Sequence, residues 1–360
     1  MRKIALTLAL TAGLTGISYA QTTQKLTASK MNEYGLIYAL PLTALDVTLE
    51  AERTVKTPGE FYRYASKYLG VQPITEPSDE WAIKSVTVTP RGIADEEERY
   101  LVQFKSGSTP FMLLDENDFP LTVNSEEVAE MNGTGLPVSQ DAEPTILQTA
   151  AARQAMTEDM LRATSTAKRA ELAATKIYEL RQSRNDIISG NADQMPADGA
   201  AMKLALDNID RQEAALTAMF LGTAQKSTSV RTYTVVPTSD DSQRTIGARM
   251  SVTEGPVDLD DLTGIPVYIE IKTVERASLP RNEKGEEKKF PKGGLAYRIP
   301  GTADVRATAS GNTLFDANID MAQMGVVFGL EPNLFTDKKE PAYVIFDPTT
   351  GAIRELGTVR

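Results

Sequence analysis

Arg298 is the side chain whose neighbours best equip it for chemistry. It stands in Tyr297-Arg298-Ile299-Pro300, within the stretch 296–305. A guanidinium can grip a carboxylate in a two-pronged fork, and an aromatic neighbour would help to orient a sugar. Tyr297 and Arg298 are therefore the candidate ligand contacts. Carboxylates are the second resource. Asp95-Glu96-Glu97-Glu98 and Asp115-Glu116-Asn117-Asp118 each gather acids in an expected turn between strands. Two acids facing each other about 5 to 9 Å apart would equip a glycosidase. Spacing along the chain selects no such pair, so no catalytic residue is assigned. The second cluster and the segment 257–264, with Asp258, Asp260 and Asp261, offer oxygen ligands for calcium. Neither places a glycine at position six and a glutamate at twelve, and Asx turns explain both. Calcium is thus an option on ligand type alone. No cofactor or metal ligand is assigned.

What the chain lacks narrows the choice further. It has no Cys and no His. That removes disulfides and thiolate metal sites, Ser-His-Asp catalysis, imidazole zinc sites and the commonest base near neutral pH. Gly133-Thr134-Gly135 and Gly293-Gly294 lack the helix and the Lys-Ser/Thr of a phosphate loop. The tetrapeptide at 297–300 is one that sialidases carry. Sialidases also need partner arginines, a tyrosine nucleophile and propeller turns of the form Ser-x-Asp-x-Gly-x-Thr-Trp. Those turns are absent, and Trp81 is the only tryptophan. A strand ending at a Pro300-Gly301 turn accounts for the same four residues.

The start of the chain carries a different message. Arg2 and Lys3 precede a mostly apolar run from Ile4 to Ile17, which ends in Ser18-Tyr19-Ala20. This is the three-part pattern of a secretory signal peptide, with cleavage expected between Ala20 and Gln21. No later segment has the roughly 20 apolar residues of a membrane span. Against 38 Lys and Arg stand 49 Asp and Glu, a net charge of −11. That balance disfavours nucleic acid and anionic membrane surfaces.

The elements that must position these residues read as an α+β chain in parts. After the signal peptide (1–20), residues 21–32 are polar and are expected to be flexible. Residues 33–125 form a β-rich domain with one helix. In it, Pro41 separates a strand at Leu36–Leu40 from one over Leu45, Val47 and Leu49. The helix starts at Thr57-Pro58 and ends at Gly70, with Phe61, Tyr64, Ala65 and Tyr68 on its inner face. Residues 126–144, rich in Gly, Pro and acid, form a linker. Residues 145–225 form a long antiparallel helical hairpin with a coiled-coil-like seam. Its first run must pack elsewhere or break near Thr164-Ser165-Thr166. Its seam through Met202, Leu206, Ile209, Glu213, Leu216 and Phe220 offers a second use, as the contact of a homo-oligomer. Residues 226–360 read as about seven strands of a β-sandwich or open barrel, with a hairpin turn at Asp347–Gly351 and a solvated, mixed-charge loop at 280–294.

Read in order, several segments carry a broader resemblance. They are YALPLTALDVTLEAERT, GEFYRYASKYLG, RQEAALTAMFLGTAQ, GLAYRIPGTADVRATASGNTLF and MAQMGVVFGL. Their order resembles an uncharacterised family of secreted proteins from Gram-negative, gut-type bacteria, recorded only as a domain of unknown function. The resemblance spans roughly residues 31–360. It implies export, to the periplasm or cell surface, and it implies that Tyr297–Pro300 belong to a C-terminal β-region. It carries no activity. The functional expectation is an exported envelope protein with a non-catalytic interaction or scaffold role, its partner another envelope protein or a glycan. The alternative is a carbohydrate-active enzyme or glycan-binding module working through Asp/Glu and Tyr.

Overall fold

The computed structural model describes residues 21–25, 35–104, 111–127, 152–335 and 341–358. The expected signal peptide at 1–20, Ala20 included, and nearly all of the expected 126–144 linker lie outside those residues. The chain is a mixture of antiparallel sheets and helices. Among the described residues thirteen strands run β1 (Gln21–Lys25), β2 (Leu36–Thr57), β3 (Ser78–Phe104), β4 (Met112–Leu114), β5 (Pro120–Val123), β6 (Thr223–Val235), β7 (Ser242–Ser251), β8 (Gly255–Val257), β9 (Ile265–Glu275), β10 (Leu295–Ala309), β11 (Asn312–Leu330), β12 (Ala342–Phe346) and β13 (Ile353–Thr358). They form a first sheet in the order β1-β3-β2-β6, a second in the order β11-β10-β9-β7-β8 and a third in the order β13-β12-β5-β4.

Two of the three sheets draw strands from both sides of the helical segment. β6 lies antiparallel to β2 from Leu45↔Val235 to Thr57↔Thr223, and β12 pairs with β5. Of the strands after residue 225, β7 to β11 form one sheet of their own, while β6, β12 and β13 join sheets with strands near the N-terminus, so the expected β-sandwich or open barrel is not a separate C-terminal unit. The segment 21–32 also departs from expectation at its start. Gln21–Lys25 pairs with Phe104–Tyr100 as an edge strand.

Two further differences have one cause, the tolerance of a long strand for a bulge. Pro41 does not separate two strands. β2 passes through it with a register shift between Ala39 and Pro41, where its partner β3 skips from Arg99 to Ala94. The acids at 95–98 are thus a bulge inside one strand, not a turn between two. Likewise Pro300-Gly301 is no turn. β10 continues through it, with a shift between Ile299 and Gly301 where β11 jumps from Val326 to Met321. Gly301 is needed there, since a Cβ would lie 2.4 Å from the Glu275 carbonyl oxygen and 2.6 Å from that of Met324. Beyond the bulge the period of two is clean, with Ala303, Val305, Ala307 and Ala309 buried.

The helical segment is shorter and more broken than the long hairpin expected over 145–225. α1 (Ala65–Leu69) is a single turn. After the linker come α2 (Glu158–Arg162), α3 (Thr166–Ser189) and α4 (Gly199–Leu221). Thr157 caps α2 by accepting from the Met160 N–H, and Ser165 caps α3 by accepting from that of Lys168. Each cap stops a continuous helix, because a capping residue takes an extended backbone. The break at 163–165 is the one the sequence allowed. The helix expected from Thr57 begins later for a similar reason. Thr57 is still in β2, and the Phe61 N–H is spent on the Met219 carbonyl at the end of α4 (2.7 Å). Only from Tyr62 does the chain coil, and it ends at Gly70 with a left-handed φ of 69°.

Three apolar cores follow. Leu45, Val47 and Leu49 of β2 meet Val267, Ile269 and Ile271 of β9 and Val305 and Ala307 of β10, between the first and second sheets. Tyr38, Val102, Leu295, Val344 and Phe346 form a second core under the third sheet. Phe61, Ala65, Ile177, Leu216 and Phe220 join the helices to the chain after β2. Phe220 is fully buried against the Phe61 ring (centroids 5.3 Å apart). We expect Phe220→Ala to destabilise the protein by about 3–5 kcal/mol. Leu204→Ala, at a site 70% exposed, should change stability by less than about 0.5 kcal/mol. Urea unfolding of the two variants reads the difference; equal midpoints would contradict this helical core.

Candidate functional site

The two irregular places, the bulge of β3 against β2 and the bulge where β10 pairs with β11, meet. Arg298 is buried in β10, its side chain 7% exposed. Its Nη2 donates to Asp95 Oδ2 at 2.7 Å, and its Nη1 to the Ala322 carbonyl at 3.2 Å. Its backbone N–H donates to the Gly351 carbonyl at 3.0 Å. Asp95, 13% exposed, also accepts the Glu97 N–H on Oδ1 at 3.0 Å, which holds the bulge in shape. The Nε of Arg298 is buried and has no partner among the described residues.

A second layer surrounds this pair. Tyr100 donates its hydroxyl to Glu98 Oε2, and Lys25 of β1 bridges to Glu98 Oε1 at 2.6 Å. The Tyr38 and Tyr100 rings stack, centroids 5.6 Å apart. The Tyr38 hydroxyl accepts the Ala296 N–H at 2.9 Å. Burial raises the Tyr100 phenol pKa far above its usual value. The hydrogen bond to Glu98 and that residue's charge add to the rise, and Arg298 opposes it. Burial likewise raises Tyr38, against the opposing effect of its hydrogen bond to Ala296.

On the other side of Ala322 lies Thr43, fully buried in β2. Its Oγ accepts the Ala322 N–H at 3.0 Å and donates to the Thr349 carbonyl at 3.3 Å. The Gln323 side chain closes a ring with the same residue. Its Oε1 accepts the Thr43 N–H at 3.1 Å, and its Nε2 donates to the Thr43 carbonyl at 2.7 Å and to that of Pro237 at 3.1 Å. The turn Asp347–Gly351 seats here as well. Gly92 must be glycine beneath it, since a Cβ would come within 2.1 Å of the Pro348 carbonyl oxygen. All three sheets are thus tied at one polar junction.

Of the candidate ligand contacts, Arg298 is turned inward and charge-neutralised by Asp95. Among the described residues its side-chain partners are Asp95 and the Ala322 carbonyl, whereas carboxylate gripping in a sialidase would set two further arginines beside it. Tyr297 points the other way. It is half-buried, and its ring meets Phe328 edge-on at 6.4 Å. Gln21 is the first residue of β1. The acids of 95–98 are largely engaged, Asp95 by Arg298, Glu98 by Lys25 and Tyr100, and Glu96 by Arg99. Asp115 uses its carboxylate on the N–H groups of Asn117 and Phe119, both at 2.8 Å, as an Asx turn does. Among the described residues no three acidic side chains converge as a metal site would need. Asp95 was one of the acids in the 95–98 cluster, though not as a partner of Arg298; Thr43, Tyr38 and Gln323 were not singled out from sequence. Gln323 alone carries a usable signal, as a lone amide in the apolar run from Met321 to Leu330.

A buried pair is costly to break singly. Arg298→Met should destabilise the protein by about 3–5 kcal/mol, with Asp95→Asn in the same chain restoring part of the loss. Arg306→Met, which breaks the half-exposed pair with Asp316, should cost less than about 1 kcal/mol. Chemical denaturation of the set checks the ranking. The tyrosines give a pH prediction. A raised phenol pKa keeps its proton in the fold while the unfolded chain releases it, so that stability is intact below about pH 10 and falls above it. Urea unfolding at about pH 9 and about pH 11, with phenolate absorbance followed in parallel, tests this. All tyrosines ionising together in the folded protein near about pH 10 would contradict it.

Comparison with known proteins adds one match. A family model described as a domain of unknown function (DUF4831) covers residues 34–354. No curated protein and no solved structure matches the chain.

Proposed function

The chain belongs to this family, a domain of unknown function, and from that premise we propose an exported envelope protein with a non-catalytic interaction or scaffold role. One observation carries the reading. The side chains best suited to chemistry, Arg298, Asp95, Glu98 and Tyr100, are spent on one another and on the backbone between sheets. A catalytic centre holds such groups facing a cleft, where a substrate can reach them. Here they hold strands together. Export is supported by the pattern from Arg2 to Ala20, and the cleavage point falls immediately before β1. The paired helices α3 and α4 provide a hairpin that sets spacing or joins two copies. The partner is another envelope protein or a glycan. Calcium is the ion we would try on the exposed acids, on ligand type alone.

A glycan-binding role has one observation in its favour. Phe290 is 44% exposed and leans edge-on against Phe328, which Tyr297 also meets. Rings with a free face are common sugar platforms.

Fractionation of cells making the tagged chain tests the main reading. The expected product lies in the envelope or periplasm and begins at Gln21 by N-terminal sequencing. It leaves a panel of glycosides intact. Retention of residues 1–20 in the cytoplasm would refute export. Turnover of a glycoside that is lost on a Glu or Asp substitution would replace the scaffold by an enzyme. Saturable binding to an array of glycans, lost in Tyr297→Ala, would favour the glycan module.

A further inference from the structure

The turn from Asp258 to Gly264 is held with unusual firmness for a surface loop. Arg249 of β7, 9% exposed, runs beneath it. Its Nε donates to the Leu259 carbonyl at 2.7 Å and its Nη1 to that of Gly264 at 2.9 Å. Tyr233 of β6 donates to the Val257 carbonyl at 2.6 Å. Arg231 pairs with Asp258. Asp261 accepts both the N–H and the hydroxyl of Thr263, at 2.9 and 2.7 Å. Yet this framed loop turns apolar side chains outward. Leu262 is 83% exposed, Ile265 43% and Leu259 39%. Single exposed leucines are ordinary. Three within seven residues on a preorganised acidic turn have the composition of a contact patch.

The complementary surface is in the same chain. The loop 280–294 carries Arg281, Lys284, Lys288, Lys289 and Lys292 against three glutamates. Lys288 and Lys289 are exposed and directly precede the exposed Phe290. Phe290 is itself braced, edge-on to Phe328 at 6.2 Å and close over Gly329. The two loops sit at opposite ends of β9. One leads into Ile265 and the other leaves from Glu275. At about 3.3 Å per residue their roots are some 35 Å apart. An acidic, apolar loop at one pole and a basic, aromatic loop at the other cannot meet within one molecule.

We propose that they meet between molecules, the 258–265 loop of one copy docking on the 280–292 loop of the next. Such a contact is head-to-tail, so that it builds rings or open chains rather than a closed two-fold dimer. It gives the interaction role proposed above a specific surface, separate from the helices, and rests on that role only for its setting.

Sedimentation velocity of the mature chain, from about 1 to about 100 µM at low salt, tests it, since a small charged contact assembles in that range and weakens as salt screens it. The expected result is growth beyond a dimer, lost in about 0.5 M NaCl. Leu262→Asp removes the head and Lys289→Glu weakens the tail. Both sites are exposed, and each variant alone should sediment as a monomer with an unchanged melting temperature. Asp260→Lys gives the same reading at a second exposed position of the head. Mixing Leu262→Asp with Lys289→Glu leaves one good head and one good tail, so that capped heterodimers should form. Monomers at every concentration, or association that survives both variants and is lost in Leu204→Lys on α4, would overturn the proposal. The latter would leave a self-associating scaffold standing. A mixture that fails to recover would overturn the head-to-tail geometry.

Discussion

A guanidinium and a carboxylate, buried together where no sheet is regular, hold this protein in register. Arg298 and Asp95 face each other across 2.7 Å from strands of different sheets. Each needs the other, because an unpaired charge in that place would be intolerable. Apolar contacts would let the sheets slide; a directional pair does not. The pair sits where both ladders shift register. The bulge of β3 presents Asp95, and that where β10 pairs with β11 shifts the inward face from Ala296 and Arg298 to Gly301 and Ala303.

The junction is also the boundary between two cores. Leu295 and Ala296 pack under the third sheet, while Ala303 and Val305 pack between the first and second. Arg298, Thr43 and Gln323 stand between. Their hydrogen bonds reach backbone groups that the bulges have freed from the ladders, such as the N–H and carbonyl of Ala322. The irregular backbone and the buried polar side chains are thus one feature. Buried backbone groups must find partners, and these side chains are what supplies them.

This arrangement separates the inside of the protein from its outer uses. The strong polar groups of the interior serve the fold. What is left for contact is on the surface, in loops that buried residues hold still: Arg249 under the 258–264 turn and Gly329 under Phe290. With no Cys in the chain to form a disulfide, such buried side chains are what hold these loops in place.

By itself the sequence determined the kinds of element and the chemistries to exclude. The period of two along Ala303, Val305 and Ala307, the Gly70 exit and the break allowed near Thr164-Ser165-Thr166 are local, and local sterics and hydrogen bonds decide them. The absence of Cys and His is likewise plain in the residue list. The alternating pattern could not say which strand pairs with which, because a strand presents the same unpaired backbone to any partner of suitable face. The pairings of β6 with β2 and of β5 with β12 therefore came only with the tertiary structure. So did the meaning of Arg298. Its neighbours in sequence describe a group that would grip a carboxylate. The fold supplies that carboxylate from within, more than two hundred positions earlier in the chain, and only three-dimensional packing brings Asp95 to it.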